Sequence, residues 1–282
     1  GSGRWRLPLH DLIFGAGKAG DSGTGRLPRQ RAKKRKRVKR SGVTAGGDLP
    51  MFVDASSSLH KDLGLWAVDT VNPNGWSGML KYLSQSSAEV VLGQESKVCS
   101  GDSKVAAERA AATSGWGAVL SPARVTDAGG ISAGVMCAAK SFIGMACNTC
   151  SDIPDLFMFR ICCAHVGAIC KGGVHFVSLY FWNSEGLSKR NLDLMHYAAQ
   201  VISSLQGPWI VSADFNMSPS VLRSSGWLNL VKGKLFEPEG PTCGLQKYDL
   251  FVVSMNLSSA ILGAVVVSDA GLHPHSPVRL FI

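Results

Sequence analysis

Trp209-Ile210-Val211-Ser212-Ala213-Asp214-Phe215-Asn216 is the stretch from which the rest of the chain can be read. Its first three residues favour β structure and are apolar, so the run belongs inside a sheet. An acid and an amide follow where the strand must leave that sheet. In open α/β sheets ligands collect outside the carboxyl ends of strands, which makes such an exit a candidate site. Asp-x-Asn is also ordinary turn chemistry. Agreement with other segments separates the two readings.

Those segments lie on both sides. Leu65-Trp66-Ala67-Val68 reads as a strand, and Asn-Pro and Asn-Gly mark a turn in Val71-Asn72-Pro73-Asn74-Gly75-Trp76. Residues 77–86 carry Met79, Leu80 and Leu83 at helical spacing, and 89–95 form a second buried strand ending in Gln94-Glu95. Strand, turn, helix and strand make a βαβ-type unit with Asn72 and Glu95 at the carboxyl ends of its strands. Residues 102–114 are Ala-rich and predict a helix. Strands are predicted over 117–120, 131–139, 157–164 and 174–180, with turn residues between most of them. Residues 187–205 predict a helix whose apolar stripe is Met195, Ala198, Val201, Ile202 and Leu205. A strand at 209–213, a short helix near 218–225 and strands at 250–253, 260–267 and 278–281 complete the chain. Strands outnumber helices, and the helices are separated. That pattern suits two packed sheets with helices outside.

The 282 residues are 45% hydrophobic and 17% charged, which is globular composition. No apolar run approaches the roughly 18 residues of a membrane span, and no signal-peptide pattern opens the chain, so no membrane role is expected. Because it starts at Gly1 rather than Met, the chain reads as a fragment or processed piece. The net charge of +9 is uneven: residues 1–50 hold 13 Lys and Arg against 3 acids, and residues 51–282 hold 16 against 17. The first 50 residues read as a disordered basic arm and 51–282 as the folded domain. In the arm, Arg31-Ala32-Lys33-Lys34-Arg35-Lys36-Arg37-Val38-Lys39-Arg40 packs eight positive charges into ten residues. Such a run binds nucleic-acid phosphates, serves nuclear import, or is a solvated linker. Of eight cysteines only Cys147 and Cys150 form a CxxC, with no second pair at zinc spacing, so reduced intracellular thiols are expected rather than a zinc site.

The polar residues at strand ends are, in order, Asn72, Asn74, Glu95, Tyr180, Asp214, Asn216, Asp249 and His275. They sit in Asn72-Pro73-Asn74-Gly75, Gln94-Glu95, Leu179-Tyr180, Asp214-Phe215-Asn216, Tyr248-Asp249-Leu250-Phe251-Val252-Val253-Ser254 and Pro274-His275-Ser276-Pro277-Val278. This ordered set, spanning 64 to 282, resembles the endonuclease/exonuclease/phosphatase superfamily. That group includes exonuclease III, abasic-site endonucleases, deoxyribonuclease I and the endonuclease domains of non-LTR retrotransposons. The Gly- and Trp-rich wording is nearest the retroelement branch. The resemblance implies an α/β (α+β) four-layer sandwich, DNase I-like, with two mainly antiparallel sheets between helices. It also implies a Mg²⁺- or Mn²⁺-dependent phosphodiesterase acting on DNA. Its metal ligands would be Glu95, Asn72 and Asn74, and its catalytic residues Asp214, Asn216, His275, Asp249 and Tyr180.

The residue types suit that chemistry. Phosphodiester hydrolysis needs a cation on the phosphate, an activated water and stabilisation of the pentacovalent charge. A hard cation prefers carboxylate oxygen, which Glu95 offers. Asp249 and His275 form a carboxylate–imidazole pair, Asp214 can orient or deprotonate water, and Asn216 and Tyr180 can hold phosphate oxygens. Two positions depart from the family pattern. Pro274 stands where an Asp usually precedes the last His, and Asn74 is an amide where an acid is common. Both departures weaken a metal site, and Asp269 or His273 could substitute only with a register shift. Only 35 residues separate Asp214 from Asp249, too few for long DNA-probing insertions, so a general nicking endonuclease is expected over a repair enzyme. The alternatives are an inert nucleic-acid-binding module of the same fold, or a phosphatase or ribonuclease of the superfamily. A retroelement polyprotein is the expected parent and the nucleus the expected location.

Overall fold

Period-two alternation along the strands sorts side chains into layers, and the layers define the fold. The computed structural model describes residues 52–148 and 153–282, all within the unit Thr44–Ile282. The basic arm with its Arg31–Arg40 run, the boundary at residue 50, and Cys150 of the CxxC lie outside the described residues. In chain order the first elements are β1 Phe52–Val53, α1 Leu59–Asp62, β2 Ala67–Val71, α2 Trp76–Gln85, β3 Val90–Gly93 and α3 Asp102–Thr113. Then come β4 Trp116–Ser121, β5 Arg124–Val125, β6 Ile131–Ser132, β7 Val135–Lys140 and β8 Met145–Cys147. The second half holds β9 Ile161–Val166, β10 Val174–Tyr180, α4 Lys189–Ser204, β11 Trp209–Asp214, α5 Pro219–Ser224 and α6 Trp227–Leu230. It closes with β12 Gly233–Phe236, β13 Asp249–Ser254, β14 Gly263–Val267 and β15 Val278–Phe281.

One sheet has seven strands in the order β1-β14-β15-β2-β3-β7-β4, and the other six in the order β12-β13-β11-β10-β9-β8. Three neighbouring pairs are parallel, β1 with β14, β2 with β3, and β10 with β11; the rest are antiparallel. The sequence expectation of two mainly antiparallel sheets with helices outside is what the structure shows. Val68, Val90, Leu92, Cys137, Phe176, Ile210 and Phe251 fill the space between the sheets. Val177, Leu179, Val211 and Leu250 point the other way, onto Leu194, Met195, Ala198 and Ile202 of α4. On the far face of the first sheet, Ala67, Val71 and Val91 pack against Met79, Tyr82 and Leu83 of α2. Among the described residues no helix is long and apolar enough to cross a membrane.

The helices start where local chemistry favours it. The Ser188 hydroxyl accepts from the Asn191 N–H to cap α4, and Ser218 does the same for Val221 ahead of Pro219 in α5. A buried ion pair staples β2 to β15: Arg279 donates from Nε and Nη2 to the two Asp69 oxygens at 2.8 and 2.9 Å. Asp69 and Arg279 are register partners, and both are fully buried. Tyr82 OH and Ser86 Oγ also donate to Asp69, at 2.7 and 2.8 Å.

Three strand boundaries differ from the sequence reading. Residues 131–139 are two strands, β6 and β7, broken at Ala133 and Gly134, which have φ of 66° and 87°. The break presents the Ala133 and Gly134 carbonyls to the N–H groups of Lys97 and Ser96. Residues 157–160 are turns rather than strand, because the Phe157 N–H bonds back to Pro154 and the Arg160 N–H to Phe157. A short 3₁₀ turn, Ser258–Ala260, delays the start of β14 to Gly263.

Candidate active site

The layer between the sheets changes from apolar to polar along five strands. Inward positions run Val68-Thr70-Asn72 through β2 and Val90-Leu92-Gln94 through β3. They run Phe176-Ser178-Tyr180 through β10, Ile210-Ser212-Asp214 through β11 and Val253-Phe251-Asp249 backward through β13. Gln94 ties the middle of this layer together. Its Oε1 accepts from Thr70 Oγ1 at 3.3 Å and its Nε2 donates to Ser178 Oγ at 3.1 Å, so the buried hydroxyls are satisfied across both sheets. Above Gln94 lies one rung of chemistry, because Tyr180 is in register with Asp214 and Asp214 with Asp249.

Asp214 is the hub of the rung. Asn72 Nδ2 donates to its Oδ2 at 2.9 Å, the Asn216 N–H donates to its Oδ1 at 3.1 Å, and His275 Nε2 stands 3.7 Å from Oδ2. Burial, then the Asp249 charge, pushes the Asp214 carboxyl up to about 7. The His275 Nδ1 and Asp249 Oδ2 atoms are 2.9 Å apart, a bond that orients the ring. Burial pulls the His275 imidazole down, but its bond to Asp249 and the charges of Asp249, Asp214 and Glu95 outweigh it and raise the group to about 9. Thr242 joins the two segments that meet here. Its Oγ1 accepts from the N–H groups of Tyr248 and Asp249 at 2.9 and 3.1 Å, while its carbonyl accepts from the Ser276 N–H at 2.7 Å.

Glu95 and Tyr180 form the neighbouring edge. Burial, followed by the Glu95 and Asp214 charges, pushes the Tyr180 phenol well above its ordinary value, so it stays a donor. Lys97 Nζ lies 3.9 Å from Glu95 Oε1 and donates to Asn74 Oδ1. Asn72 Oδ1 in turn accepts from the Asn74 N–H at 3.1 Å. Asn74, Glu95, Lys97 and Asn216 all hold left-handed backbone, with φ from 50° to 55°. Such conformations cost on the order of 1–3 kcal/mol each in non-glycine residues and cluster where surrounding contacts fix a site.

The residues present fit a divalent cation. Asp214, Asp249 and His275 each offer a ligand atom, and those atoms lie within 4.8 Å of one another. Asp249 Oδ1 is buried without a hydrogen-bond partner among the described residues, the condition in which a carboxylate oxygen is available to a metal. The like-charge repulsion that raises Asp214 is what a cation would relieve.

Of the residues picked from sequence, Asn72, Tyr180, Asp214, Asp249 and His275 are buried side by side. Glu95 and Asn216 are half-buried at the rim, with Asn216 Nδ2 held by the Phe181 carbonyl at 3.0 Å. The trio that could ligate most compactly, Asp214, Asp249 and His275, differs from the Glu95, Asn72 and Asn74 set expected from sequence. Asn72 and Asn74 spend their side-chain oxygens on a backbone N–H and on Lys97. Pro274 is exposed beside His275. Sequence reasoning passed over Lys97, Thr242 and the linking role of Gln94. Lys97 had a signal, a cation two residues after Glu95; Thr242 had none. A cleft of about 150 Å³ lined by Met195, His196 and Trp227 lies at α4 and α6 and shares no residue with this site.

No protein-family model matches the chain, and no curated protein sequence is similar to it. Solved structures are similar to it in fold. An AP endonuclease from Leishmania major aligns with a TM-score of 0.61 at 14% identity, over 83% of this chain and 92% of that one. The endonuclease domain of a telomere-specific non-LTR retrotransposon aligns with a TM-score of 0.57 at 16% identity, over 77% and 98%. An endonuclease/exonuclease/phosphatase family protein from Bacteroides thetaiotaomicron aligns with a TM-score of 0.52 at 14% identity, over 77% and 97%. Motif order along the sequence and the arrangement of the strands agree with these likenesses: the chain has the fold of the endonuclease/exonuclease/phosphatase superfamily, the DNase I-like four-layer sandwich.

Proposed function

We propose that this domain is a divalent-metal-dependent phosphodiesterase that nicks one strand of DNA. The observation that carries the reading is the closeness of Asp214, Asp249 and His275 at the polar end of the inter-sheet layer, with Asp249 Oδ1 left unpaired. Asp249, through its unpaired Oδ1, and Glu95 are the carboxylates that would hold Mg²⁺ or Mn²⁺. When bound, the cation supplies neutralisation of phosphate charge. Asp214, raised to about 7, can take a proton from a water near neutral pH, and Asn72 and the Asn216 N–H keep its oxygens aimed. His275, kept cationic by Asp249, donates toward a phosphoryl oxygen, and Tyr180 adds a second donor. The basic run Arg31–Arg40 would add salt-sensitive DNA affinity that the nearly neutral body lacks, and would suit a nuclear protein cut from a retroelement polyprotein.

Nicking of supercoiled plasmid by wild type, Glu95→Ala and His275→Ala in Mg²⁺ or Mn²⁺ tests this. Metal-dependent nicking by wild type, lost in both variants, is expected. Two observations favour a second reading: Pro274 offers no ligand beside His275, and Lys97 already engages Asn74 and Glu95. A folded wild type that binds DNA without nicking it would replace the nuclease reading with an inert binding module. Absence of both activities would redirect attention to small phosphate esters.

A further inference from the structure

His165 and His175 stand side by side on the outer face of the second sheet, away from the inter-sheet layer. They are register partners on β9 and β10, and their ring centres lie 4.6 Å apart. Both are half-buried. A backbone carbonyl holds each ring at the same atom: His165 Nε2 lies 2.9 Å from the Gly172 oxygen, and His175 Nε2 lies 3.1 Å from the Gln206 oxygen. A carbonyl only accepts, so in the neutral rings both Nε2 atoms carry the proton and both Nδ1 atoms keep a lone pair. Gly173 makes room for this packing, since a Cβ there would meet His165 Nε2 at 2.5 Å. Burial lowers the His175 pKa against the opposing bond to Gln206, and the neighbouring His165 lowers it further, which keeps that imidazole neutral at pH 7.

This is the arrangement of metal-binding histidines. The ring nitrogen away from the ion donates to a carbonyl, which fixes the ring and makes the other nitrogen more basic. Two imidazoles that share one cation, each nitrogen about 2.0–2.1 Å from it, place their ring centres roughly 4.5–5 Å apart. The observed separation falls in that range. The group that now faces the lone pairs has the polarity of a cation. Asn148 Nδ2 donates to His175 Nδ1 at 2.8 Å and to the Cys163 sulfur at 3.7 Å, so one amide nitrogen turns its two protons to an imidazole and a thiol. No hydrogen bond reaches His165 Nδ1 among the described residues, and that atom is not sealed from solvent. Imidazole nitrogen suits ions such as Zn²⁺ and Cu²⁺, whereas Mg²⁺ and Mn²⁺ prefer the oxygens of the catalytic rung. His175 precedes Tyr180 by five residues on β10, roughly 17 Å along the strand, so the two sites share no ligand.

We propose that His165 and His175 hold a transition-metal ion, Zn²⁺ or Cu²⁺, through their Nδ1 atoms, with the Asn148 amide as the competitor that the ion displaces. Solvent completes the coordination, because both rings are half-exposed. The ion pins β9 to β10 and, through Gln206, to the segment between α4 and β11. It is a structural site, and it stands independently of the phosphodiesterase reading.

The test is equilibrium dialysis of the full chain against Zn²⁺, under a non-thiol reductant and with Mg²⁺ in excess. Wild type is expected to hold one more Zn²⁺ per chain than His165→Ala or His175→Ala. Either variant should bind that ion roughly a hundredfold more weakly, at least the cost of losing an outer-shell partner. Asp249→Asn, at the catalytic rung, should leave the ion in place. Asn148→Ala should bind it as tightly as wild type or more tightly, since a competitor rather than a ligand has gone. Equal zinc content in wild type and folded His165→Ala overturns the inference, and so does loss of the same ion in Asp249→Asn. Weaker binding by folded Asn148→Ala overturns the displacement on which the geometry rests. If the histidine variants fail to fold, proton–nitrogen NMR of the wild-type imidazoles decides alone. Zn²⁺ should shift the Nδ1 signals of His165 and His175, and a titration that moves neither overturns the site.

Discussion

Replacing Arg279 by Met isolates the contribution of the buried staple between β2 and β15. The substitution leaves the Asp69 carboxylate, itself fully buried, with only the Tyr82 and Ser86 hydroxyls as donors. It also removes the guanidinium donors that reach the Ala55 and Ser57 carbonyls at 2.9 and 3.1 Å, leaving each with a bond from Ser87. Breaking a buried pair from one side costs about 3–5 kcal/mol, since one charge remains uncompensated. Against a typical total of roughly 5–15 kcal/mol, that is a large share of the stability. At about 2–4 °C per kcal/mol for a domain of this size, Tm should fall by roughly 6–20 °C. Urea unfolding should show a lower midpoint with unchanged slope, meaning stability was lost rather than two-state behaviour. Adding Asp69→Asn should recover part of the loss, because the amide oxygen still accepts from Tyr82 and Ser86 while the orphan charge is gone. The reasoning fails if Arg279→Met unfolds within about 1 kcal/mol of wild type, or if the second change deepens the loss.

Two further substitutions probe particular contacts. Gly134→Ala puts a Cβ 2.6 Å from Ser96 Oγ on a backbone with φ of +87°, so it should destabilise the domain by about 1–3 kcal/mol in chemical unfolding. Because Ser96 and Lys97 hang from this turn, nicking should fall further than stability explains; full activity per folded molecule would contradict that link. Glu89→Gln tests linkage. Burial would raise the Glu89 carboxyl, but its bonds to His60 and the Ala67 N–H, with the charges of His60 and Lys61, bring it below its ordinary value. A lowered folded pKa contributes stability above the unfolded value of about 4.3 and loses it as pH falls through the folded one. The gap in urea midpoint between wild type and Glu89→Gln should therefore be widest at neutral pH and close below about pH 4; a gap constant from pH 6 to 3 would refute this.

What the sequence disclosed, and what it hid, follows from how far each residue's partners lie along the chain. The strands β10, β11 and β15 were legible because apolar alternation is a local signal, and their ends carried the polar residues that now share one rung. The break between β6 and β7 was illegible because the groups that require it, the Ser96 and Lys97 N–H donors, arrive from more than thirty residues upstream. Arg160 sat in a run read as strand, where a lone cation among apolar residues was the signal and its ring partners Tyr180 and Trp182 were not visible. The short edge strands β8 and β12 carry too little alternation to be read without the sheets they extend.

The same distinction bears on the chemistry. Taken alone, Asp214-Phe215-Asn216 is a turn, and the structure retains that turn: Asp214 Oδ1 accepts the Asn216 N–H two residues on. What makes it more than a turn is a set of contacts from distant strands, with Asn72 bonded to Oδ2 across 142 residues and His275 facing the same oxygen. Each is buried beside the polar end of the inter-sheet layer, so each is solvated poorly and leans on the others for hydrogen bonds. A chain that merely needed to end strands would place such groups outward, into water. Four inward polar ends, converging above a Gln94 that satisfies the hydroxyls beneath them, hold carboxylates at a cost that hydrogen bonding within the cluster leaves partly unmet, as Asp249 Oδ1 shows. That unmet remainder is the physical reason to look for a cation here.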